Sequence, residues 1–166
     1  MEEINKKIMS SLIVSLFILG LFSTATIAFA EPQSSPLRVD LIAGQNIDAG
    51  DAYIWNDAEY LHIDIVGDGW VITETHVAVG QELADIPQTK SGNPKIGKFE
   101  YSGGLSFVIP LDGLSGNIAI AIHAVVEGTG AYCGQEETAW GRATCEDYYR
   151  WFDGSSWATW IQYYVS

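Results

Sequence analysis

The sequence predicts an all-β protein, a single antiparallel β-sandwich of about eight or nine short strands with one disulfide. Apolar and polar residues alternate with a period of two along much of the chain, which is typical of strands that bury one face. Turn-forming residues separate these runs, and no stretch has the spacing of a convincing helix. Short strands without helices favour a sandwich over a mixed architecture.

The first thirty residues are predicted to be a secretory signal peptide. A charged segment, MEEINKK, precedes a long apolar run that ends in AFA at 28–30, the small-residue pattern of a cleavage site. A lone transmembrane anchor is the alternative, because the run approaches the roughly 20 residues that span a bilayer. We therefore expect a signal peptide over 1–30, a flexible lead over 31–36 and a secreted or cell-surface β-sandwich domain over 37–166.

The first predicted strand begins at Leu37, where apolar and polar residues start to alternate. AYIW at 52–55 and EYLHIDIV at 59–66 follow as a pair of strands, with Asn56-Asp57 as the turn between them. A further hairpin is predicted where Gly67-Asp68-Gly69 leads into a β-rich run.

Residues 80–98 break the pattern and predict a long surface loop, since this stretch contains two prolines and three glycines. The loop also carries Lys90, Lys95 and Lys98. One interpretation is a solvated loop, which is the usual state of such segments. The other is a contact for the acidic surface of a neighbouring subunit.

Strand character returns in KFEYS and LSFVIP, on either side of Gly103-Gly104. Residues 118–127 are apolar on both faces, which favours a central strand covered on both sides. YYRWF and WATWIQYYV flank the turn at 153–156 and predict a terminal hairpin.

The charge of the chain limits its partners. The net charge is −13, from 21 Asp and Glu against 8 Lys and Arg. Such a surface repels phosphate backbones and anionic lipid, so we expect no nucleic-acid binding and no membrane binding after signal cleavage. Copies of the chain itself, joined head to tail, other surface proteins and metal cations remain as candidate partners.

The two cysteines, Cys133 and Cys145, are expected to form a disulfide because an exported chain meets an oxidising compartment. Reactive thiols are the alternative, but neither cysteine has a histidine nearby in sequence. The intervening CGQEETAWGRATC is interpreted as a stapled structural loop whose carboxylates hold an ion or anchor buried donors. Glu136 and Glu137 point to opposite faces if extended, so they do not form a glycosidase pair unaided.

No catalytic residue is predicted, since the chain lacks G-x-S-x-G, H-E-x-x-H and the phosphate-binding glycine motifs. A zinc site is nevertheless a hypothesis. Glu74 and His76 share one strand face because they are two residues apart, and they could meet His123 and one of the two adjacent glutamates. The candidate ligands are Glu74, His76, His123, Glu136 and Glu137. Ordinary hydrogen bonds from each histidine are the alternative.

Calcium is a second hypothesis, because residues 46–59 are rich in Asp and Asn and Ca²⁺ needs six to eight oxygen ligands. The candidates are Asp48, Asp51 and Asp57. The ordered EF-hand spacing is absent, and such residues also populate turns for local reasons. No cofactor is required by the sequence; a structural Ca²⁺ or Zn²⁺ is the candidate.

The C-terminal region is rich in aromatic residues. Trp151, Trp157 and Trp160 are candidate sugar-stacking residues if they share an exposed face. The alternative is core packing, because aromatic residues favour strands and half of them would face inward.

Several of these segments in combination resemble an uncharacterised family of secreted bacterial and archaeal cell-surface domains. The resemblance rests on LIAGQNIDAG, IWND, WVITETHVAVG, DIPQTKSGNPKIGKFEY, IHAVV and EETAWG. It implies an exported β-sandwich, with no established reaction to carry over. It also marks the polar and aromatic members of these motifs, Glu74, His76, His123, Glu136, Glu137 and Trp140.

The leading functional hypothesis is a non-enzymatic extracellular structural or adhesion protein. One version is a filament subunit that donates its N-terminal strand to the next copy, with an ordinary self-paired first strand as the alternative. The competing hypotheses are a secreted zinc-dependent enzyme and a carbohydrate-binding module.

Overall fold

A computed structural model of the chain describes residues 35–144 and 148–166, which lie in the compact unit Gln33–Ser166. The predicted signal peptide lies outside the described residues. The prediction of an antiparallel all-β fold is confirmed, with short 3-10 turns as the helical elements in the described part. The strands are β1 (Leu37–Ala43), β2 (Ile47–Asn56), β3 (Tyr60–Gly67), β4 (Trp70–Gly80), β5 (Tyr101–Ser102), β6 (Ser106–Pro110), β7 (Gly116–Gly128), β8 (Glu136–Ala143), β9 (Tyr149–Trp151) and β10 (Thr159–Val165).

The ten strands form one continuous sheet that curls nearly into a barrel. Their order is β5-β4-β7-β8-β1-β2-β3-β6, and β10 pairs with both β7 and β9. The division into two packed sheets that a sandwich requires is not confirmed. Branched apolar side chains fill the interior, and the largest fully buried ones include Leu41, Ile54, Ile63, Ile120 and Ile122.

The bend between β5 and β6 links the two edges of the nearly closed barrel by contacting both β4 and β3. The amide of Gly103 donates to the carbonyl of Thr75 on β4 at 3.1 Å, and the Thr75 hydroxyl donates to the carbonyl of Gly104 at 2.7 Å. One residue further on, the carbonyl of Leu105 accepts from the amide of Ile65 on β3 at 2.7 Å. The bend therefore replaces the direct pairing that β3 and β4 lack.

The predicted hairpin at Gly67-Asp68-Gly69 is wrong. β3 pairs with β2 and β6, whereas β4 pairs with β5 and β7. The chain turns so sharply here that a Cβ on Gly67 would lie 2.2 Å from the carbonyl oxygen of Trp70. Both the amide and the hydroxyl of Thr129 donate to the carbonyl of Gly69, which directs the start of β4 to the end of β7.

Four other predictions about strands are confirmed. β1 begins at Leu37 and β2 pairs with β3 across the Asn56-Asp57 turn. β9 and β10 form the terminal hairpin. β7 is a central strand, with Ile120 and Ile122 facing the interior and Ala121 packed into a second apolar cluster on the outer face.

The interpretation of CGQEETAWGRATC as a loop is wrong over residues 136–143, which form β8 between β7 and β1. Its inward positions carry small residues, Ala139, Gly141 and Ala143, so the usual alternation of large apolar and polar residues is missing. The resulting close packing is visible at Gly141, where an added Cβ would lie 3.1 Å from the Cβ of Ile122.

The long loop after β4 packs against the outer face of the sheet instead of extending into solvent. Ile86 and Phe99 are buried there against alanines of β4 and β7, together with Phe152 from the end of the chain. The Oδ1 of Asn93 accepts from the amide of Ser156 at 2.9 Å, which joins the two covering segments. Among the residues that the structure describes, no helix has the length and apolar character needed to cross a membrane.

Candidate functional site

A row of three ring-bearing side chains crosses the outer face of the sheet. His76 on β4 lies directly opposite His123 on β7, and His123 lies directly opposite Trp140 on β8. The ring centroids of His76 and His123 are 5.9 Å apart, and those of His123 and Trp140 are 5.0 Å apart. The structure thus places two of the residues named in the zinc hypothesis, His76 and His123, next to each other.

A β-bulge places Glu74 and His76 on this face. The register between β4 and β7 shifts between Ile72 and Glu74. Trp70 and Ile72 face the core before the shift, and Val77 faces it afterwards. Without the extra residue, period-two alternation would turn His76 into the core. Bulges of this kind often redirect side chains at functional sites.

His123 is the least satisfied polar residue in this row. It is 4% exposed, and its Nδ1 is buried without a hydrogen-bond partner. Burial lowers its pKa to about 4, with the nearby His76 lowering it further and Glu74 opposing the change. The imidazole is therefore neutral at pH 7. A strongly lowered pKa and an unpaired buried nitrogen are both features of functional sites.

His76 has a partner. Its Nε2 hydrogen-bonds to the carboxylate of Glu74, whose side chain is 57% exposed. This bond is the main reason that the pKa of Glu74 lies below its usual value. Glu74 also lines a shallow depression with Thr75, Gly104 and Leu105, so this end of the row is open to solvent.

The other end of the row is enclosed by aromatic side chains that the sequence analysis did not single out. Phe99 and Phe152 both pack edge-on against Trp140, with ring centroids 6.4 and 6.1 Å away. Both phenylalanines are buried. Their positions at the ends of two irregular, glycine-containing segments could have indicated that those segments fold back onto the sheet.

The two adjacent glutamates do not join the row. Glu137 pairs with Val126 and lies against Gly44, on the opposite face of β8 from Trp140. Glu136 is on the same face as Trp140 but four residues along the strand, about 13 Å away at the rise of a β-strand. The described part of the chain contains no group of three or more His, Cys, Asp or Glu side chains arranged to hold a metal ion. In this structure Glu136 and Glu137 are therefore not brought together with His76 and His123.

The three calcium candidates are also separated. Asp48 and Asp51 lie near the start of β2, whereas Asp57 follows its end. Asp51 accepts from Arg38 at 2.8 Å. Asp57 caps the β2–β3 turn, accepting from the amides of Glu59 and Tyr60 at 2.8 Å and contacting His62 Nε2 at 2.9 Å.

The C-terminal tryptophans do not share one face. Trp151 pairs with Thr159 while Trp160 pairs with Arg150, so the two indoles project from opposite faces of the β9–β10 ribbon. Trp151 is 50% exposed, whereas Trp157 and Trp160 are partly buried against the outer apolar cluster. A continuous platform of all three rings is therefore not present.

The disulfide is not confirmed. Cys133 is an exposed, free cysteine in the structure. Cys145 lies outside the described residues, so the pairing stays a prediction.

Comparison with known proteins gives no family to which the chain can be assigned. No family model, no curated protein and no solved structure matches it.

Proposed function

We propose that this protein is a non-enzymatic extracellular structural or adhesion protein that associates with copies of itself through surfaces of opposite charge. The observation that carries the proposal is the separation of charge between one loop and one face of the barrel. Lys90, Lys95 and Lys98 are all the lysines after the first thirty residues, and all three are exposed.

The lysines have no carboxylate within ion-pairing distance among the residues that the structure describes. The three lysines are part of the segment that covers the outer face of β4 and β7, and they fall within a stretch of nine residues, 90–98. On a chain of net charge −13, this is a local basic surface without an internal counterpart. We call it the lysine loop.

A second surface has the opposite charge. Asp40, Asp48, Asp51 and Asp64 alternate with core residues on β1, β2 and β3 and so face outward, a set that we call the acidic face. Arg38 forms ion pairs with Asp40 and Asp51, and Arg142 on β8 lies opposite Asp40. The pKa of Asp40 is raised, first by burial and then by the neighbouring charges of Asp48 and Asp51, against the effects of Arg38 and Arg142.

The two surfaces are on different strands of the curled sheet, and within one molecule no ion pair of the described residues joins the lysine loop to the acidic face. When the lysine loop of one copy binds the acidic face of the next, a free acidic face remains at one end of the assembly and a free lysine loop at the other. Such a heterologous contact extends into a fibre unless rotation closes it into a ring. This arrangement suits a structural or adhesive layer outside the cell.

Strand donation is a separate route to assembly. In this structure β1 pairs with β2 on one side and β8 on the other within its own chain. Donation would require β1 to leave both partners, whereas the charged contact leaves the barrel intact. The two routes also differ in salt dependence, because main-chain hydrogen bonds between strands are not screened as surface charges are.

The test is sedimentation velocity and electron microscopy of the purified protein at about 0.01 M and about 1 M salt, where the Debye length falls from about 30 Å to about 3 Å. We expect assemblies at low salt and monomers at high salt. Monomers at low salt, at every concentration reached, would overturn the proposal. Assemblies that persist at high salt would favour strand donation.

Two sets of variants test the surfaces themselves. Replacing Lys90, Lys95 and Lys98 together with glutamate should abolish assembly, while arginine at the same positions should preserve it. A second variant with Asp48→Lys and Asp64→Lys should also remain monomeric. Mixing the two variants should restore a complex, because a reversed loop then meets a reversed face; no complex in the mixture would contradict the assignment of these surfaces.

The zinc-dependent enzyme and the carbohydrate-binding module remain alternatives. The half-exposed Trp151, in edge contact with Tyr149 at 6.3 Å, is the feature that favours the latter. Quenching of tryptophan fluorescence by a glycan, lost in Trp151→Ala, would support it.

A further inference from the structure

The buried, unpaired Nδ1 of His123 is a candidate ligand-binding atom. A neutral imidazole has one nitrogen that donates and one that accepts, and buried polar atoms are nearly always hydrogen-bonded. The Nδ1 of His123 has no such partner, although the residue lies in the well-packed row between His76 and Trp140. Leaving this atom unpaired costs stability that an apolar residue would not cost. A ligand that binds the free nitrogen would offset the cost.

The neighbouring histidine has the arrangement of a metal ligand supported by a carboxylate. His76 uses Nε2 to contact Glu74, and its Nδ1 makes no hydrogen bond among the residues that the structure describes. Histidines that bind metals commonly direct one ring nitrogen to a carboxylate, which fixes the ring and strengthens the other nitrogen as a ligand. Glu74 thus fixes the orientation of the His76 ring through this hydrogen bond and is not itself a metal ligand.

The separation of the two rings fits a shared ion. Two imidazoles bound to one tetrahedral zinc at about 2.1 Å would have ring centroids about 5 Å apart. The centroids of His76 and His123 are 5.9 Å apart, and the rings are inclined by 43°. A small rotation of His76, which is 16% exposed in its side chain, would bring the rings to that separation.

We propose that His76 and His123 together bind one divalent transition-metal ion, Zn²⁺ or Cu²⁺, through their free ring nitrogens, with Glu74 orienting His76. Imidazole nitrogen is a suitable ligand for both ions. Solvent molecules on the open side of the row, next to Glu74, complete the coordination. Among the described residues, no group of three or more His, Cys, Asp or Glu side chains is arranged to hold a metal ion, so the protein supplies only two ligands here.

The test is a titration of the chelator-stripped protein with Cu²⁺, followed by calorimetry and by electron paramagnetic resonance. We expect one ion per chain and a spectrum with coupling to two nitrogens. Zn²⁺ should compete for the same site. Trp140 contacts the His123 ring, so Cu²⁺ should also quench tryptophan fluorescence, and Trp140→Phe should reduce the quenching without reducing the binding.

Variants of the three residues separate their roles. His76→Gln and His123→Gln should each remove the two-nitrogen signal, and Glu74→Gln should weaken binding by about 10-fold to 100-fold. His76 is on the surface side of the row, so its variant should remain folded even if the His123 variant does not. The control is His62→Gln, which changes another carboxylate-paired histidine, on β3, and should leave binding unchanged.

A further control addresses the exposed thiol. Cys133→Ser must leave the two-nitrogen signal intact, because thiolates also bind both metals. Absence of a one-to-one complex would overturn the inference. Binding that survives both His76→Gln and His123→Gln would overturn it as well, since the ion would then lie elsewhere.

Discussion

His76 and His123 face each other across β4 and β7, yet only His76 has a hydrogen-bond partner. His76 lies toward solvent beside Glu74, whereas His123 is enclosed by the sheet and by Trp140. The ring centroids are only 5.9 Å apart, yet His123 alone is buried with an unpaired ring nitrogen. The difference leads to the first prediction.

Stability of the metal-free protein should fall as pH falls from about 6.5 to about 4. The pKa of His123 is lowered to about 4 in the folded state, against an ordinary value of 6.5. In that interval the unfolded chain binds a proton that the folded chain does not, so acid favours unfolding, by about 3 kcal/mol in total. Above pH 6.5 this residue makes no contribution to the pH dependence. Urea unfolding in the presence of EDTA, followed by tryptophan fluorescence, measures the effect.

His123→Phe is the matched control for this prediction. It should flatten the stability profile between pH 6.5 and pH 4 and leave the loss of stability at lower pH, to which the lowered pKa values of Glu74 and Asp57 contribute. A wild-type profile that is already flat from pH 7 to pH 5 would show that His123 is not buried as neutral imidazole.

Thr75 holds the bend between β5 and β6 to β4, and Thr75→Val should destabilise the protein by about 1.5 kcal/mol. Valine has nearly the same shape but cannot donate a hydrogen bond. The carbonyl of Gly104 would therefore lose its 2.7 Å hydrogen bond at the bend between β5 and β6. Thr73→Val is the control, because Thr73 is exposed and its bond to the carbonyl of Val125 is 3.2 Å long. Its effect should stay within about 0.5 kcal/mol. Equal effects of the two variants in urea unfolding would contradict the role of Thr75.

Local sequence was a good guide where turn chemistry decides the pairing. Asn56-Asp57 produced the expected β2–β3 hairpin because Asp57 can accept from two amides of the turn. The glycines at 67 and 69 predicted a second hairpin in the same way. Instead, the close approach of Gly67 to Trp70 and the hydrogen bonds from Thr129 to Gly69 direct β4 to pair with β7. Such long-range contacts are not encoded in the turn itself.

The candidate site shows the same limit. Period-two alternation correctly put Glu74 and His76 on one face, and the opposition of His123 followed from the pairing of β4 with β7. The bulge that turns them outward, and the burial of His123 by β8, depend on the whole sheet. β8 itself was missed because its core-facing residues are small.

The β2–β3 turn provides a prediction about a surface carboxylate. Asp57 has a pKa lowered to about 2, mainly by the hydrogen bond to His62 and then by the two turn amides. Its interactions therefore stabilise the fold above an ordinary pKa near 3.8, and this contribution is lost as pH falls toward 2. Asp57→Ala should lower the unfolding midpoint at pH 7 but have little effect at pH 2. A loss of the same size at both pH values would show that the charge of Asp57 is not involved.

Gly141 should be the least tolerant position on β8. A Cβ there would lie 3.1 Å from Ile122 Cβ, 3.3 Å from Ile161 Cδ1 and 3.4 Å from Val39 Cγ1. Because the Ile122 Cβ is fixed by its backbone, the strands must separate slightly, and Gly141→Ala should cost about 1–3 kcal/mol. Gly97→Ala is the control, since nothing lies within 4 Å of its added methyl group. If alanine at 141 were neutral in urea unfolding, β8 would not pack as closely against β7 and β1 as this fold requires.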